Sequence, residues 1–407
     1  MNKPRCRSQK RWLYVMVFTL IFGGYACYAL LRPVTVNSSS TIYKNSSQQV
    51  PPSDLDWPAT GQAAVTIKDS KIIETSGTQK IVPTASVAKI ITALVILDKY
   101  PLSLNQQGQI ITINESDVAL FNKYATQNGS RIQVKAGEMI TQYQLLQAIL
   151  LPSANNAADS MAIWAYGSLN AYSESANNYL AKNGLTSTKV GLDASGLSPT
   201  SVSTAQDLVK LGEIAMSNPV IAQIVGQSSA TGIPVVNKIE SVNYILGQNN
   251  IIGIKTGNTD EAGGVFLGAS KVKINGKDVT IITAVMGAVN KTVALQESLK
   301  LTKSAQNNFY DAVVAKNNQN VGAYQTPWGQ NAPVVANEKL NLNSWKGTNP
   351  SASVQLQEIS SKTKAKQKVG ILKIKPSPTT TAKEVSVSLK SDLPQPSIVW
   401  RLTNPFN

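Results

Sequence analysis

The chain has 407 residues, 42% of them hydrophobic and 15% charged, enough for two or three domains with a real core. It contains no histidine, which excludes a Ser-His-Asp triad, a Cys-His pair and a His-ligated zinc, and its two cysteines, Cys6 and Cys27, both fall within the first 32 residues. The +15 formal charge sits at the two ends, +6 over residues 1–32 and +8 over 316–407, so the nearly neutral middle gives no reason to expect a nucleic-acid partner. Any enzymatic base must be a lysine, a carboxylate, a tyrosine or a bound cofactor.

Residues 1–11 read as a basic cytoplasmic tail carrying Lys3, Arg5, Arg7, Lys10 and Arg11. Residues 12–31 (WLYVMVFTLIFGGYACYALL) then run for twenty positions without a charge, enough to cross a hydrocarbon core as a helix, and the flanking cations favour a cytoplasmic N-terminus. A single-pass anchor is expected, with the rest of the chain outside the cell. A cleaved signal peptide is the alternative, with Gly24-Tyr25-Ala26 or Cys27-Tyr28-Ala29 as the processing site, and Cys27 as a lipid attachment point is a weaker one. Residues 32–55, rich in Ser, Asn, Gln, Thr and Pro, read as a flexible spacer.

From Ala63, AAVTI and IIET flank a polar turn at Lys68–Lys71, the pattern of two paired strands. A helix is expected to begin near Ser86, buried on most sides because Ile90, Ile91, Leu94, Val95 and Leu97 exceed a one-sided stripe. A second runs from Thr141, a plausible N-cap, to Pro152, and a third begins after Asn156. Ile251–Ile254 and Val265–Ser270 read as strands, Asn275-Gly276 as a hairpin turn, and residues 291–315 as helical. Strands at both ends with helices between them imply an α+β fold, one antiparallel sheet covered by helices.

Three short motifs carry chemistry. Ser86 and Lys89 are three apart at a helix start and share a face; burial and the positive helix end would lower the lysine toward a free amine able to take the Ser86 proton. Ser153-Ala154-Asn155 falls at a helix break that aims a hydroxyl and an amide into a cleft. Lys255-Thr256-Gly257 places a cation and a hydroxyl on an apolar strand, with Gly257 leaving room for a ligand along the edge. Each alone is also explained by a helix cap, an interhelical loop or a strand end. Their order and context are what penicillin-recognising serine enzymes require.

With PTASVAKIITAL around Ser86, ITQYQLLQAILLPSANNAADSMA around Ser153, GLDASGLSPTSVSTAQDL from Gly191 and IKTGNTDEAGG around Lys255, the chain resembles the D-alanyl-D-alanine carboxypeptidases, low-molecular-weight penicillin-binding proteins of the S11 peptidase family. The resemblance implies a β-lactamase/transpeptidase-like domain over residues 56–315 and these roles: Ser86 as the acyl-enzyme nucleophile, Lys89 as its base, Ser153 as the proton relay to the leaving amine and Asn155 as a holder of the substrate peptide. Lys255, Thr256 and Gly257 would bind the terminal carboxylate, and the backbone N–H groups of Ser86 and Asn258 would form the oxyanion hole. It implies no cofactor or metal, peptidoglycan stem peptides as substrate and β-lactam antibiotics as covalent inhibitors. Ala154 stands where the family more often has glycine.

Residues 321–407 read as a small all-β domain with alternating runs VQLQEI, VGILKIK, VSVSL and SIVWRL, ending at TNPFN with no anchoring helix expected; the Lys362–Lys368 run reads as a solvated hairpin tip. A β-lactamase needs a deacylating glutamate, but Glu174 and Glu213 lack the E-x-x-L-N context of the class A enzymes. A D,D-endopeptidase of the same fold and a non-catalytic wall-binding module complete the alternatives.

Overall fold

The computed structural model describes residues 6–37, 40–44, 49–375 and 382–405. Part of the expected basic tail, residues 1–5, lies outside them, and the described remainder is already helical. Helix α1 (Cys6–Leu31) contains a 22-residue apolar stretch, Lys10–Leu31, with its large side chains from Trp12 to Phe22 exposed. The chain forms two compact units, Pro52–Phe309 and the combination of residues 1–51 with 310–407.

The Pro52–Phe309 unit is built on a five-stranded antiparallel sheet in the order Ile251–Thr259, Gly263–Ile274, Lys277–Ala288, Gln62–Ile67 and Ile73–Ser76. All six residues of Gln62–Ile67 are buried, so the sheet is covered on both faces. The Asn275-Gly276 turn has φ of 50° and 78°, the positive pair that a tight hairpin between right-twisted strands needs. Between the early and late strands run α2 (Ala88–Lys99), α3 (Glu115–Thr126), α4 (Gln142–Leu150), α5 (Asn155–Tyr166), α6 (Leu169–Lys182), α7 (Ala205–Ser217) and α8 (Pro219–Val225), followed by α9 (Lys291–Gln306) after the last strand. Ile282 meets α7, where a Cβ on Gly212 would fall 2.7 Å from it, while its neighbour Thr283 meets Thr302 of α9 at 3.4 Å. Successive strand residues face opposite ways, so α7 and α9 cover opposite faces.

Local chemistry sets the elements that carry the motifs. Every residue of α2 from Ala88 to Leu97 is buried. Thr141 caps α4 in a reciprocal box with Gln144: the Gln144 N–H donates to Thr141 Oγ1 at 3.2 Å and the Thr141 N–H to Gln144 Oε1 at 3.0 Å. The helix stops at Leu150, just before Pro152.

The second unit holds a six-stranded antiparallel sheet in the order Asn320–Gln325, Asn331–Ala336, Lys383–Leu389, Lys368–Ile374, Ser351–Leu356 and Ser40–Lys44, over a core that includes Val334, Val354, Leu372 and Val387. Three expectations are corrected here. Part of the expected spacer is structured: Ser40–Lys44 is the edge strand, and Thr35–Val36 pairs with Ile359–Ser360. Polar composition hid this, because an edge strand with few apolar residues looks like a linker. SIVWRL is not a strand but α10 (Ile398–Thr403), capped by Ser397, whose Oγ accepts from Trp400 N at 3.1 Å. The helical reading of 291–315 holds only to Gln306, and a strand begins at Phe309. Of the 362–368 lysine run, residues 362–367 lie on a loop, with Lys364 paired to Asp392 at 3.2 Å, and Lys368 opens the strand Lys368–Ile374.

Candidate active site

Ser86 sits on a single 3-10 turn, Ala85–Val87, that leads into α2, one step earlier than a start at Ser86 itself. Ala85 has a φ of 45°, a left-handed conformation that costs a non-glycine residue about 1–3 kcal/mol and is held by what surrounds it. Two glycines do the holding. A Cβ on Gly257 would fall 3.0 Å from Thr84 O and 3.1 Å from Ser86 N, so glycine there lets the sheet edge close on the nucleophile segment. Gly196, with φ of 75°, lies so close from the other side that a Cβ would come within 2.1 Å of Ala85 O. The sequence reading gave Gly257 to ligand space; a side chain there would meet Ala85 Cβ and the backbone of Thr84 and Ser86.

Lys89 is completely buried, with Nζ 2.9 Å from Ser86 Oγ, 2.7 Å from Asn155 Oδ1 and 2.8 Å from Ser195 O. Burial pushes its pKa down to about 7, against the attraction of Asp193 and Asp159, which act to raise it. A neutral amine fits this triangle: two N–H bonds go to Asn155 and Ser195, and the lone pair faces the Ser86 hydroxyl. Asn155 is thus a partner of the base as well as a lining residue of the cleft.

Ser153 stands at the break between α4 and α5 with a φ of 66°, buried, its Oγ without a hydrogen-bond partner among the described residues. Lys255, on the strand Ile251–Thr259, is buried and donates to Thr256 O at 3.0 Å. Its pKa lies well below the usual lysine range, first through burial and then through the charges of Lys89 and Lys291. Thr256, Gly257, Ser153 and Lys291 line a cavity of about 320 Å³ beside Ser86. On its other side Ser86 opens to a larger cleft of about 720 Å³, walled by Lys123, Tyr124, Leu192 and Asp193 and, from the strand turn, Asp260 and Glu261. Ser86 therefore sits where two compartments meet. Asn258 lines both, and its Oδ1 accepts from the Lys291 N–H at 2.9 Å.

Reading the sequence missed the loop that closes the base. Asp193 Oδ1 accepts from the N–H of Ser195 at 2.7 Å, of Gly196 at 2.6 Å and from Ser195 Oγ at 2.7 Å, while Oδ2 accepts from Ser198 N at 2.7 Å. This fold of the loop aims Ser195 O at Lys89. The available signal was Asp-x-Ser-Gly, an aspartate able to bond the backbone ahead of it. Lys291 and Asp159 carried no signal. Glu174 lies on α6 and Glu213 on α7, and neither lines the two cavities beside Ser86.

A serine hydroxyl beside a buried lysine amine, a second serine on a helix break and a Lys-Thr-Gly strand edge are the arrangement expected of active-serine enzymes. The profile of the Peptidase_S11 family, described as D-alanyl-D-alanine carboxypeptidase, matches residues 47–290, and the chain belongs to that family. It is 28% identical over 270 residues to a D-alanyl-D-alanine endopeptidase of Pseudomonas aeruginosa, covering 63% of this chain and 80% of that one. It is 37% identical over 199 residues to a D-alanyl-D-alanine carboxypeptidase of Mycobacterium tuberculosis, covering 46% of this chain and 62% of that one. Against another carboxypeptidase, from Escherichia coli, it is 29% identical and spans 56% of that chain's length. The fold is shared with a D-alanyl-D-alanine carboxypeptidase of Francisella tularensis at a TM-score of 0.58 and 19% identity, covering 86% of this chain and 97% of that one. A peptidoglycan synthesis regulatory factor of Streptococcus pneumoniae matches at the same TM-score and 20% identity, over 83% and 99%.

Proposed function

We propose that this protein is a serine-type D-Ala-D-Ala carboxypeptidase that removes the terminal D-alanine from peptidoglycan stem pentapeptides through an acyl-enzyme on Ser86. The observation that carries the reading is Lys89: a buried amine with a pKa near 7, 2.9 Å from a half-buried serine hydroxyl. Lys89 takes the Ser86 proton as Oγ attacks the penultimate carbonyl. Charge developing on that oxygen is met by the backbone N–H groups of Ser86 and Asn258, a contribution of roughly 100 to 1,000 fold per donor in another serine protease. Ser153 relays the proton to the leaving D-alanine nitrogen, which accounts for its unpaired hydroxyl. Thr256, with Gly257 at its side and Lys255 behind it, receives the terminal carboxylate in the 320 Å³ compartment, and the rest of the stem peptide occupies the 720 Å³ cleft along with Asn155. Water then releases the tetrapeptide. β-Lactams enter the same path and stop at the acyl-enzyme.

The place of action is the outer face of a bacterial cytoplasmic membrane, with α1 as a retained single-pass anchor. Its outer end is tied into the unit formed with residues 310–407: the Tyr25 hydroxyl donates to Leu402 O, the Arg32 guanidinium to Asn404 O, and Arg401 Nη1 to Arg32 O at 2.7 Å.

The test is incubation of the purified full-length protein in detergent with a muropeptide pentapeptide, followed by mass spectrometry, and in parallel with a fluorescent penicillin. Loss of one D-alanine and a penicillin adduct on the Ser86 peptide are expected. Cleavage of cross-linked dimers with the pentapeptide left intact would assign an endopeptidase, and labelling that survives Ser86→Ala would remove the nucleophile assignment.

A further inference from the structure

Asp159 lies on α5, one helical turn after Asn155, with its side chain fully buried. Its Oδ1 accepts from the Ala194 N–H at 2.9 Å, its Oδ2 accepts from the Tyr124 hydroxyl at 2.6 Å, and Lys123 Nζ stands 3.7 Å away. Burying a carboxylate beside one half-exposed ammonium is costly before pairing, and an apolar side chain of similar size would fill this packed helix face more cheaply. The placement of the bonds explains what the charge is for. Ala194 is gripped at both ends, its N–H by Asp159 and its carbonyl by Thr92 Oγ1 at 2.6 Å. The next carbonyl, Ser195 O, is the one that holds Lys89 Nζ. Asp193 secures the far side of the same loop.

We propose that Asp159 is a positioning residue for the general base: by holding the Ala194 N–H it fixes the segment whose next carbonyl, Ser195 O, holds Lys89 Nζ, and through Tyr124 and Lys123 it ties that segment to the wall of the 720 Å³ cleft. It rests on the reading of Ser86 and Lys89 as nucleophile and base. Four elements bring charged or titratable groups to bear on this pair: Asp193 from the loop, Lys255 from the strand, Lys123 and Tyr124 from α3, and Tyr172 from α6, whose hydroxyl is 2.7 Å from Thr92 Oγ1. Asp159 and Asp193 both act to hold the Lys89 pKa up against burial, so removing the Asp159 charge lowers it further.

The experiment measures the second-order rate of acylation by a fluorescent penicillin from pH 5 to 9 on full-length wild type, Asp159→Asn and Asp159→Leu. Asn keeps an acceptor for the Ala194 N–H and drops the charge. Its acid limb should move to lower pH with an alkaline plateau within about tenfold of wild type. Leu removes the grip as well, and its plateau should fall by about 100 fold, the scale of a small misplacement of a reacting group. A residue that only stabilises the fold would shift the melting temperature of both variants and leave the pH limb in place. An Asp159→Leu plateau at the wild-type level overturns the proposal, and Asp159→Ala, which also removes the grip on the Ala194 N–H, carries this test if Leu does not fold. Wild type that fails to label at Ser86 sinks the functional reading instead, so the two failures are distinct.

Discussion

At the scale of single residues, the proposed reaction turns on a lysine that must be neutral to act as base. With its pKa at about 7, acylation of Ser86 should climb with pH through a limb near 7, as the ammonium loses its proton, measured as the penicillin labelling rate across pH. Lys89→Ala should slow labelling by roughly 100 to 10,000 fold, the usual range for a lost general base. The same shift has a cost in stability. Above about pH 10.5 the lysine is neutral in folded and unfolded chains alike; between 10.5 and 7 only the unfolded chain binds the proton; below 7 the folded chain carries a buried charge. Stability should therefore rise with pH across that window. Lys89→Met should be more stable than wild type at pH 7, by roughly 3 to 6 kcal/mol at most, with the gap closing toward pH 10 in urea titrations. The carboxylate compartment makes a separate claim. A carboxylate accepts charge-assisted bonds of about 1.5–3 kcal/mol each, where an amide offers a neutral oxygen and an unwanted donor. A substrate ending in D-Ala-D-Ala should be cut far faster than its C-terminal amide, and Thr256→Val should narrow the difference by about 10 to 150 fold in kcat/KM. Equal rates for acid and amide in the wild type would show that the carboxylate is not read.

At the scale of elements, what could be read in the sequence was what local chemistry decides. The Asn275-Gly276 turn, the Thr141 cap and the buried run of α2 each follow from neighbours within a few residues, and each stands where the pattern put it. Of the site, the hydroxyls and lysines of the three motifs were legible because their spacing is short. The partners that finish it were not. Ser195 O reaches Lys89 across 106 positions and Ala194 reaches Asp159 across 35, and no periodicity encodes such distances. The same blindness turned Ser40–Lys44 into a linker, since its partner strand Ser351–Leu356 lies more than 300 residues away. Gly196 shows how tightly these distant segments are fitted. A methyl there would overlap the Ala85 carbonyl in a residue whose own φ of 75° resists any side chain. Gly196→Ala should therefore push the Ser86 turn out of line and abolish penicillin labelling while far-UV circular dichroism stays near wild type. Labelling at the wild-type rate would show that the loop can retreat without disturbing the nucleophile.

At the scale of the whole chain, the question is whether α1 is kept. An apolar N-terminal helix of this length is equally a signal sequence or an anchor by composition alone. The contacts of its C-terminal end support the proposal that it is kept. Ala29, the last residue of one candidate processing site, is fully buried within the unit that residues 1–51 form with 310–407, and both Tyr25 and Arg32 bond carbonyls in or just after α10. A peptidase needs its target extended, whereas residues 24–31 are helical, with Ala29 buried and Tyr25 and Ala26 half-buried. Twenty uncharged residues at 1.5 Å each give about 30 Å, a full hydrocarbon core, so nothing in the length forces release. Intact-mass measurement on protein extracted from membranes of an expressing cell should therefore find residues 12–31 still attached, and proteolysis of intact cells should reach sites after Pro33, since the basic N-terminus favours the cytoplasm. Deleting residues 1–32 should release a soluble protein that still acylates on Ser86, because every residue assigned to catalysis lies in the Pro52–Phe309 unit, which has its own core. A mature chain that begins near Cys27 or Leu30 and is free in the medium would overturn the anchor while leaving the chemistry of Ser86 and Lys89 untouched.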